Sequence, residues 1–389
     1  MFRIKSFNSI AKRGLDVFPA GTFELGPEVA APHALLLRSH SLHGAAIEPQ
    51  LLAVARAGAG VNNIPVADYG KKGVVVFNTP GANANAVKEL VAAGLLLSSR
   101  NILGGMNYVQ SLSGIQDQAA LGQQLEAEKK RFAGSEIAGK TLGVVGLGAI
   151  GSLVANMALE LGMRVAGFDP AISVESAWRL SSRVEKMDSL DALLSSADFI
   201  SLHVPAIEQT HHLVNAESLR KVRRGARLLN FAREEVADSQ AVLAALDEGV
   251  LSVYVTDFPL PELLGRENVL LLPHIGASTA EAEENCAVMA AEQLIDFLQN
   301  GNIVNSVNFP QTRMRRNGGY RITFANDNVP RVLGGVLSIL ADHDINVLDM
   351  VNKSRGDLAY NIIDVETPPG DDILAAIARA DGVIKARVV

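Results

Sequence analysis

The chain has 389 residues, too many for one ordinary domain, so two or three are predicted. With 48% hydrophobic and 20% charged residues and a net charge of −7, it reads as a soluble α/β protein, and no dense basic run beyond Arg313–Arg316 favours nucleic acid. The single cysteine, Cys286, rules out an internal disulfide and offers no paired metal site, and no signal peptide or membrane span is predicted, which makes the cytoplasm the expected location.

The N-terminal part, to about Pro80, carries three short apolar runs that read as strands. Ala34 to Leu37 leads into Arg38, Ser39 and His40. Leu52 to Ala57 ends at Gly58-Ala59-Gly60-Val61-Asn62-Asn63, and Gly73 to Phe77 ends at Asn78-Thr79-Pro80-Gly81. Polar and glycine residues at the C-terminal ends of strands are where open α/β sheets bind ligands, although ordinary βα turns look alike. Ala84 to Arg100 is a proline-free helix, apolar almost all round, and so predicted to be buried between domains or against another subunit. Gln116 to Arg131 reads as an exposed connection of helical propensity.

Thr141 to Pro170 is the most informative stretch, TLGVVGLGAIGSLVANMALELGMRVAGFDP. An apolar strand (Leu142, Val144, Val145) precedes Gly146, Gly148 and Gly151 in GxGxxG spacing. A helix, Ser152 to Leu161, and a second strand, Met163 to Phe168, lead to Asp169. The glycines permit a tight turn, close backbone approach to a pyrophosphate and close packing of the helix, whose N-terminus then faces the anion. Asp169 is placed to accept hydrogen bonds from a ribose diol, and its charge would repel a 2′-phosphate, which favours NAD over NADP.

Strands and helices then alternate: Leu190 to Ser195 (helix), Phe199 to Val204 (strand), Ala216 to Val222 (helix), Ala226 to Phe231 (strand), Ser239 to Glu248 (helix), Leu251 to Thr256 and Val269 to Leu272 (strands). Such alternation specifies a doubly wound parallel sheet. The long helix Thr279 to Leu298 closes at Asn300-Gly301, and Thr312 to Gly319 reads as a polar linker. Beyond it lie strand Tyr320–Ala325, helix Pro330–His343, strand Asn346–Asn352, strand Leu358–Glu366, helix Asp371–Arg379 and a last strand, a βαββαβ order typical of a ferredoxin-like domain.

Arg233, Asp257 and His274 all fall at strand ends of the same predicted sheet, with Glu262 shortly after Asp257. Alcohol oxidation by a nicotinamide needs a base for the hydroxyl proton and a cation for an acidic substrate. A histidine suits the first task and a guanidinium fork the second. A carboxylate such as Glu262 could fix the tautomer of His274. Taken singly, His274 could be structural, Arg233 a surface ion-pair former and Asp257 a helix cap.

Together these residues resemble the D-isomer-specific 2-hydroxyacid dehydrogenases. The matching motifs are GLGAIG with Asp169, LLNFAREEV around Arg233, TDFP at Asp257, DFPLPE at Glu262 and LLPHIGAST at His274. RAGAGVNNI (Arg56 to Ile64), GVVVFNTPGANANAVKEL (Gly73 to Leu90) and LRS (Leu37 to Ser39) are similar to the branch that oxidises phosphoglycerate and ends in an ACT domain. The resemblance implies a Rossmann-type nucleotide domain (residues 84–276) inserted in a flavodoxin-like substrate domain (1–83 and 277–311). A linker (312–319) and an ACT-like regulatory domain (320–389) would follow. It implies His274 as acid/base with Glu262 as partner, and Arg233 as substrate clamp. Arg38 and Ser39 would bind phosphate, while Ala59, Gly60 and Val61 offer amides to a carboxylate. NAD would touch Gly146, Gly148, Ala149, Ile150, Gly151, Asp169, Phe231, Ala232, Asp257 and Gly276. The expected reaction is NAD-dependent oxidation of 3-phospho-D-glycerate. Alternatives are the same chemistry on another small 2-hydroxy or 2-oxo acid, or a dinucleotide-sensing regulator. The Ala84–Arg100 helix would build a homodimer or homotetramer, and serine or another small effector would bind the ACT domain, with Asn328 and Asn346 as polar contacts. His40 stands where many relatives place a second cation, which would make phosphate affinity pH-dependent. No metal is implied.

Overall fold

The apolar runs Ala34–Leu37 (β3), Ala53–Arg56 (β4) and Val75–Phe77 (β5) are too short for helices and almost wholly buried, and they pair as parallel strands. Two further strands, Phe2–Ser6 (β1) and Phe23–Gly26 (β2), complete a parallel sheet of order β2-β1-β3-β4-β5, the flavodoxin-like arrangement. Sequence patterning did not reveal β1 and β2, because FRIKS and FELG carry charges and are only partly buried. The computed structural model describes residues 1–7 and 9–389, and its chain divides into two compact units: residues 1–83 with 279–389, and residues 84–278.

The second unit is built on a seven-stranded parallel sheet. Its strands are Thr141–Val145 (β6), Arg164–Phe168 (β7), Glu185–Lys186 (β8), Phe199–Leu202 (β9), Ala226–Asn230 (β10), Leu251–Thr256 (β11) and Val269–Leu271 (β12), in the order β12-β11-β10-β9-β6-β7-β8. The order reverses between β6 and β9, so a crevice opens outside the carboxyl ends of those two strands. The helix Ala84–Ser99 packs one face on this sheet, where Gly94 is needed: a Cβ there would lie 3.1–3.3 Å from Leu229 and Phe231. The segment after it carries helices Ile102–Ser111 and Gln118–Glu128, neither of which buries a residue; the second lies in the stretch Gln116 to Arg131, whose polarity predicts an exposed connection.

In the first unit the C-terminal strands Tyr320–Asp327 (β13), Val347–Arg355 (β14), Leu358–Val365 (β15) and Val383–Val388 (β16) form an antiparallel sheet of order β14-β15-β13-β16. Helices Val332–Asp342 and Asp371–Arg379 complete βαββαβ and cover one face through Val336, Leu340, Ile373 and Ile377. Side chains alternate across a strand, so Ala325, Tyr360 and Ile362 point the other way. They enter the same core as Phe77, Phe297, Ile303 and Phe309 of the N-terminal sheet and its long helix, Ala280–Asn300.

The stretch Thr312–Gly319 is therefore held rather than free. Thr312 pairs with Ile303, Thr312 and Met314 are buried, and the Arg321 guanidinium donates to the carbonyls of Met314 and Arg315. Its charged residues disguise this in the sequence. Only alternate residues turn inward.

Candidate active site

At the switch point β6 gives way to the glycine turn. Gly146 has φ 88°, and a Cβ on it would lie 2.6 Å from the His203 carbonyl oxygen. A Cβ on Gly151 would fall 1.9 Å from the Gly146 carbonyl oxygen, so the helix Ala149–Glu160 can start here only with glycine at that position. Nothing stands within 4 Å of a Cβ on Gly148, the N-cap of this helix, which has no side-chain cap. Its first amides thus lack intrahelical acceptors and face open space, which suits an anion. Asp169, at the end of β7, accepts from the amides of Leu147 (2.8 Å) and Ala171 (2.9 Å) and so ties the turn to the neighbouring strand.

Beyond β10 and β11, buried polar side chains fix the next residues. Asn230 Nδ2 donates to the Arg233 carbonyl (2.9 Å) and its Oδ1 accepts from Ala232 (3.1 Å). Thr256 Oγ1 donates to the Asn230 carbonyl (2.8 Å) and accepts from the Phe258 amide (3.2 Å). Between these anchors Asp257 is buried: Oδ2 accepts from the Gly276 amide (2.9 Å), while Oδ1 is enclosed without a protein partner. Burial pushes its carboxyl up, and the Gly276 amide, His274 and Arg233 pull it back, which places all three within electrostatic reach of Asp257. Arg233 is exposed and gives one Nη1–H to the Ala232 carbonyl (2.6 Å), leaving the rest of its fork open. His274 is exposed, adopts φ 52° and meets the Phe258 ring edge-on at 5.0 Å. A left-handed histidine costs about 1–3 kcal/mol and persists where the surroundings demand it.

In the first unit, the chain after β4 turns so that its carbonyls are spoken for. Asn78 Nδ2 donates to Ala59 (2.6 Å), Arg56 Nη1 to Gly60, and the Thr79 amide to Gly58 (3.1 Å). Among the described residues the amides of Ala59, Gly60 and Val61 donate to no protein acceptor. Arg38 and Ser39 follow β3, and Asn63 and Arg56 both donate to the Arg38 carbonyl.

Residues 106–276 match the family described as D-isomer specific 2-hydroxyacid dehydrogenase, NAD binding domain. The chain is 33% identical over 381 residues to a D-3-phosphoglycerate dehydrogenase of Haemophilus influenzae, covering 94% of this chain and 88% of that one. The chain belongs to the D-isomer specific 2-hydroxyacid dehydrogenases. A Methanocaldococcus jannaschii protein of the same name is 34% identical over 325 residues, 81% of this chain but 58% of that longer one. The solved NAD⁺-bound 3-phosphoglycerate dehydrogenase of Entamoeba histolytica has a TM-score of 0.58 and 24% identity, covering 79% of this chain and 98% of that one, and it shares the fold.

NAD is the cofactor of this dehydrogenase, and the residues present fit it. The uncapped helix start suits a pyrophosphate and Asp169 a ribose diol, while the enclosed Asp257 Oδ1 lacks the donor that a carboxamide would supply. Phe231 and Ala232 have buried side chains, so only their backbone is available to a cofactor, and the Gly276 amide is already committed to Asp257. Glu262 departs from its expected partner. It sits exposed on the turn Pro261–Leu263, where its own backbone amide and the Ser239 hydroxyl, which donates to it at 2.9 Å, hold its acid pKa down, and among the described residues the pairing with His274 is unmade.

Three residues outside the sequence candidates shape the site of this dehydrogenase. Asn230 and Thr256 lie in predicted strands, and both are wholly buried and position the chain at Arg233 and Asp257. The available signal was a polar residue ending each apolar strand. His203 walls the glycine turn: Nε2 meets Ser201 Oγ at 2.8 Å, Nδ1 is enclosed without a partner among the described residues, and burial pushes its pKa down to about 3.

Proposed function

We propose that this chain oxidises 3-phospho-D-glycerate to 3-phosphohydroxypyruvate with NAD, the step that opens the route to L-serine. The observation that carries the chemistry is that Arg233, the buried Asp257 and His274 follow three neighbouring strands of the dinucleotide sheet, β10, β11 and β12, with Asp257 tied to the Gly276 amide. The phosphorylated substrate is supported by the relatives named D-3-phosphoglycerate dehydrogenase and by Arg38, whose carbonyl accepts from Arg56 and Asn63 on either side of a turn of unused amides.

When bound, NAD supplies the acceptor for the hydride that leaves C2. His274 takes the hydroxyl proton. Arg233 offers its free fork to the carboxylate and to the oxygen that becomes a carbonyl. Glu262 serves as a second partner for His274 once its bond to Ser239 is broken. Ala59, Gly60 and Val61 donate amides to the carboxylate, and Arg38 and Ser39 bind the phosphate.

The test is NADH formation with 3-phospho-D-glycerate, glycerate and lactate. Activity on glycerate with none on the phosphorylated acid refutes the substrate, and no turnover of any favours a dinucleotide sensor. His274→Asn is expected to lower turnover by roughly 10²–10⁴-fold while NADH still binds. Arg38→Ala is expected to raise KM for the phosphorylated acid alone.

The same reading extends to assembly and regulation. Leu103, Met106 and Val109 are exposed at 49%, 60% and 48% on the helix Ile102–Ser111, an apolar surface that supports a homodimer or homotetramer, measurable by sedimentation. Serine or another small effector is proposed at the βαββαβ domain, where Asn328 Nδ2 now donates to the Gly356 carbonyl and Asn346 Nδ2 to Glu366. Calorimetric titration with serine tests that site. No helix among the described residues is long and apolar enough to cross a membrane, and the cytoplasm is the proposed location, checked by fractionation.

A further inference from the structure

Arg38 is not open in this structure. Its Nη1 lies 2.7 Å from Glu283 Oε1, with the two side chains 40% and 43% exposed. Three observations bear on how the pair behaves. Glu283 sits in the first turn of the helix Ala280–Asn300, whose N-cap Thr279 accepts from the Ala282 amide (3.1 Å), so its charge is favourable there with or without Arg38. The root of Arg38 is fixed independently, since its carbonyl accepts from Arg56 Nε (3.0 Å) and Asn63 Nδ2 (3.1 Å). One helical turn on from Glu283, burial pushes the Cys286 thiol up, Thr79, Arg38 and Arg56 pull it back, and Glu283 pushes it up again. Both guanidiniums and the carboxylate therefore act on one small region.

We propose that Glu283 is the resident anion of Arg38, which the substrate phosphate must displace, and so sets the preference for a phosphorylated over a neutral-ended acid. The inference rests on the reading of Arg38 as the phosphate ligand. With Glu283 in place, the Arg38 guanidinium faces a carboxylate and the pair carries no net charge. Swinging Glu283 away restores the positive charge of Arg38, which suits a phosphate of nearly two negative charges. A hydroxymethyl end has no charge with which to compete, so it leaves the pair intact. The helix dipole and the solvent accept the released carboxylate, and the anchored Arg38 backbone keeps the guanidinium within reach of the incoming group. Half-exposed ion pairs are weak, so the competition corresponds to a factor of about three to five.

Glu283→Gln keeps the shape and the helix cap while removing the charge. The expected result is a KM for 3-phospho-D-glycerate about three to five times lower, and a ratio of glycerate KM to phosphoglycerate KM raised by the same factor. Inorganic phosphate, titrated calorimetrically into the NADH-bound protein, should bind more tightly by that factor too. An unchanged or raised KM in Glu283→Gln, with Arg38→Ala raising KM as expected, overturns the displacement and leaves the phosphate reading standing. If Arg38→Ala changes neither KM nor phosphate affinity, the phosphate reading fails, and the inference with it.

Discussion

Asp364→Ala tests how the C-terminal sheet is joined to the rest of its unit. Arg321 is fully buried and Asp364 is 2% exposed. The guanidinium spends all five donors: Nε and Nη2 on the two Asp364 oxygens (2.6 and 2.7 Å), Nη1 on the carbonyls of Asn300 (2.9 Å) and Met314 (3.0 Å), and Nη2 again on Arg315 (3.3 Å). One side chain thus joins the C-terminal end of the long helix, the connecting stretch and β13. Removing the carboxylate leaves a buried, uncompensated cation, which costs about 3–5 kcal/mol. For a unit of roughly 150–250 residues each kcal/mol lowers Tm by about 2–4 °C, so a fall of about 6–20 °C is expected. Differential scanning calorimetry measures it, and limited proteolysis should find new cleavage within residues 312–319. A Tm within about 2 °C of wild type would refute the reasoning, because it would mean that the cation finds water and the joint is loose.

Two further perturbations probe the dinucleotide turn. Gly151→Ala puts a Cβ where the Gly146 carbonyl already lies at 1.9 Å, so the turn must open; NADH affinity by fluorescence titration is expected to fall about tenfold or more, and an unchanged Kd would count against the steric argument. His203 titrates near 3 when folded against an ordinary value of 6.5, so the unfolded chain binds the extra proton between those limits and stability falls as pH drops below about 6.5. At pH 5 the loss is at most about 2 kcal/mol, and His203→Asn should flatten urea-measured stability between pH 5 and 7; a slope equal to wild type would exclude His203 as its source.

The dinucleotide turn and the alternating order of the second unit were legible in the chain because both rest on local rules. A strand buried on both faces must be an apolar run, and a position where a Cβ would lie 1.9 Å from a carbonyl oxygen must be glycine. The strand ends at Arg233, Asp257 and His274 could be placed on one sheet for the same reason. β1 and β2 were lost because half-buried strands bearing Arg3, Lys5 and Glu24 carry no comparable pattern. The resemblance predicted Glu262 beside His274, yet the turn Pro261–Leu263 delivers it to Ser239, a choice made by chain geometry that residue types cannot express.

The sequence by itself determined the fold class, the cofactor and the residue types able to bind an acid and move a proton, since each follows from periodicity, glycine sterics or side-chain chemistry within a few residues. Only the tertiary structure decided that Ser239 holds Glu262, that Glu283 sits on Arg38, and that the C-terminal sheet shares a core with the N-terminal one. Those pairings join residues far apart in the chain, and burial and distance, which set their energies, exist only once the chain has folded.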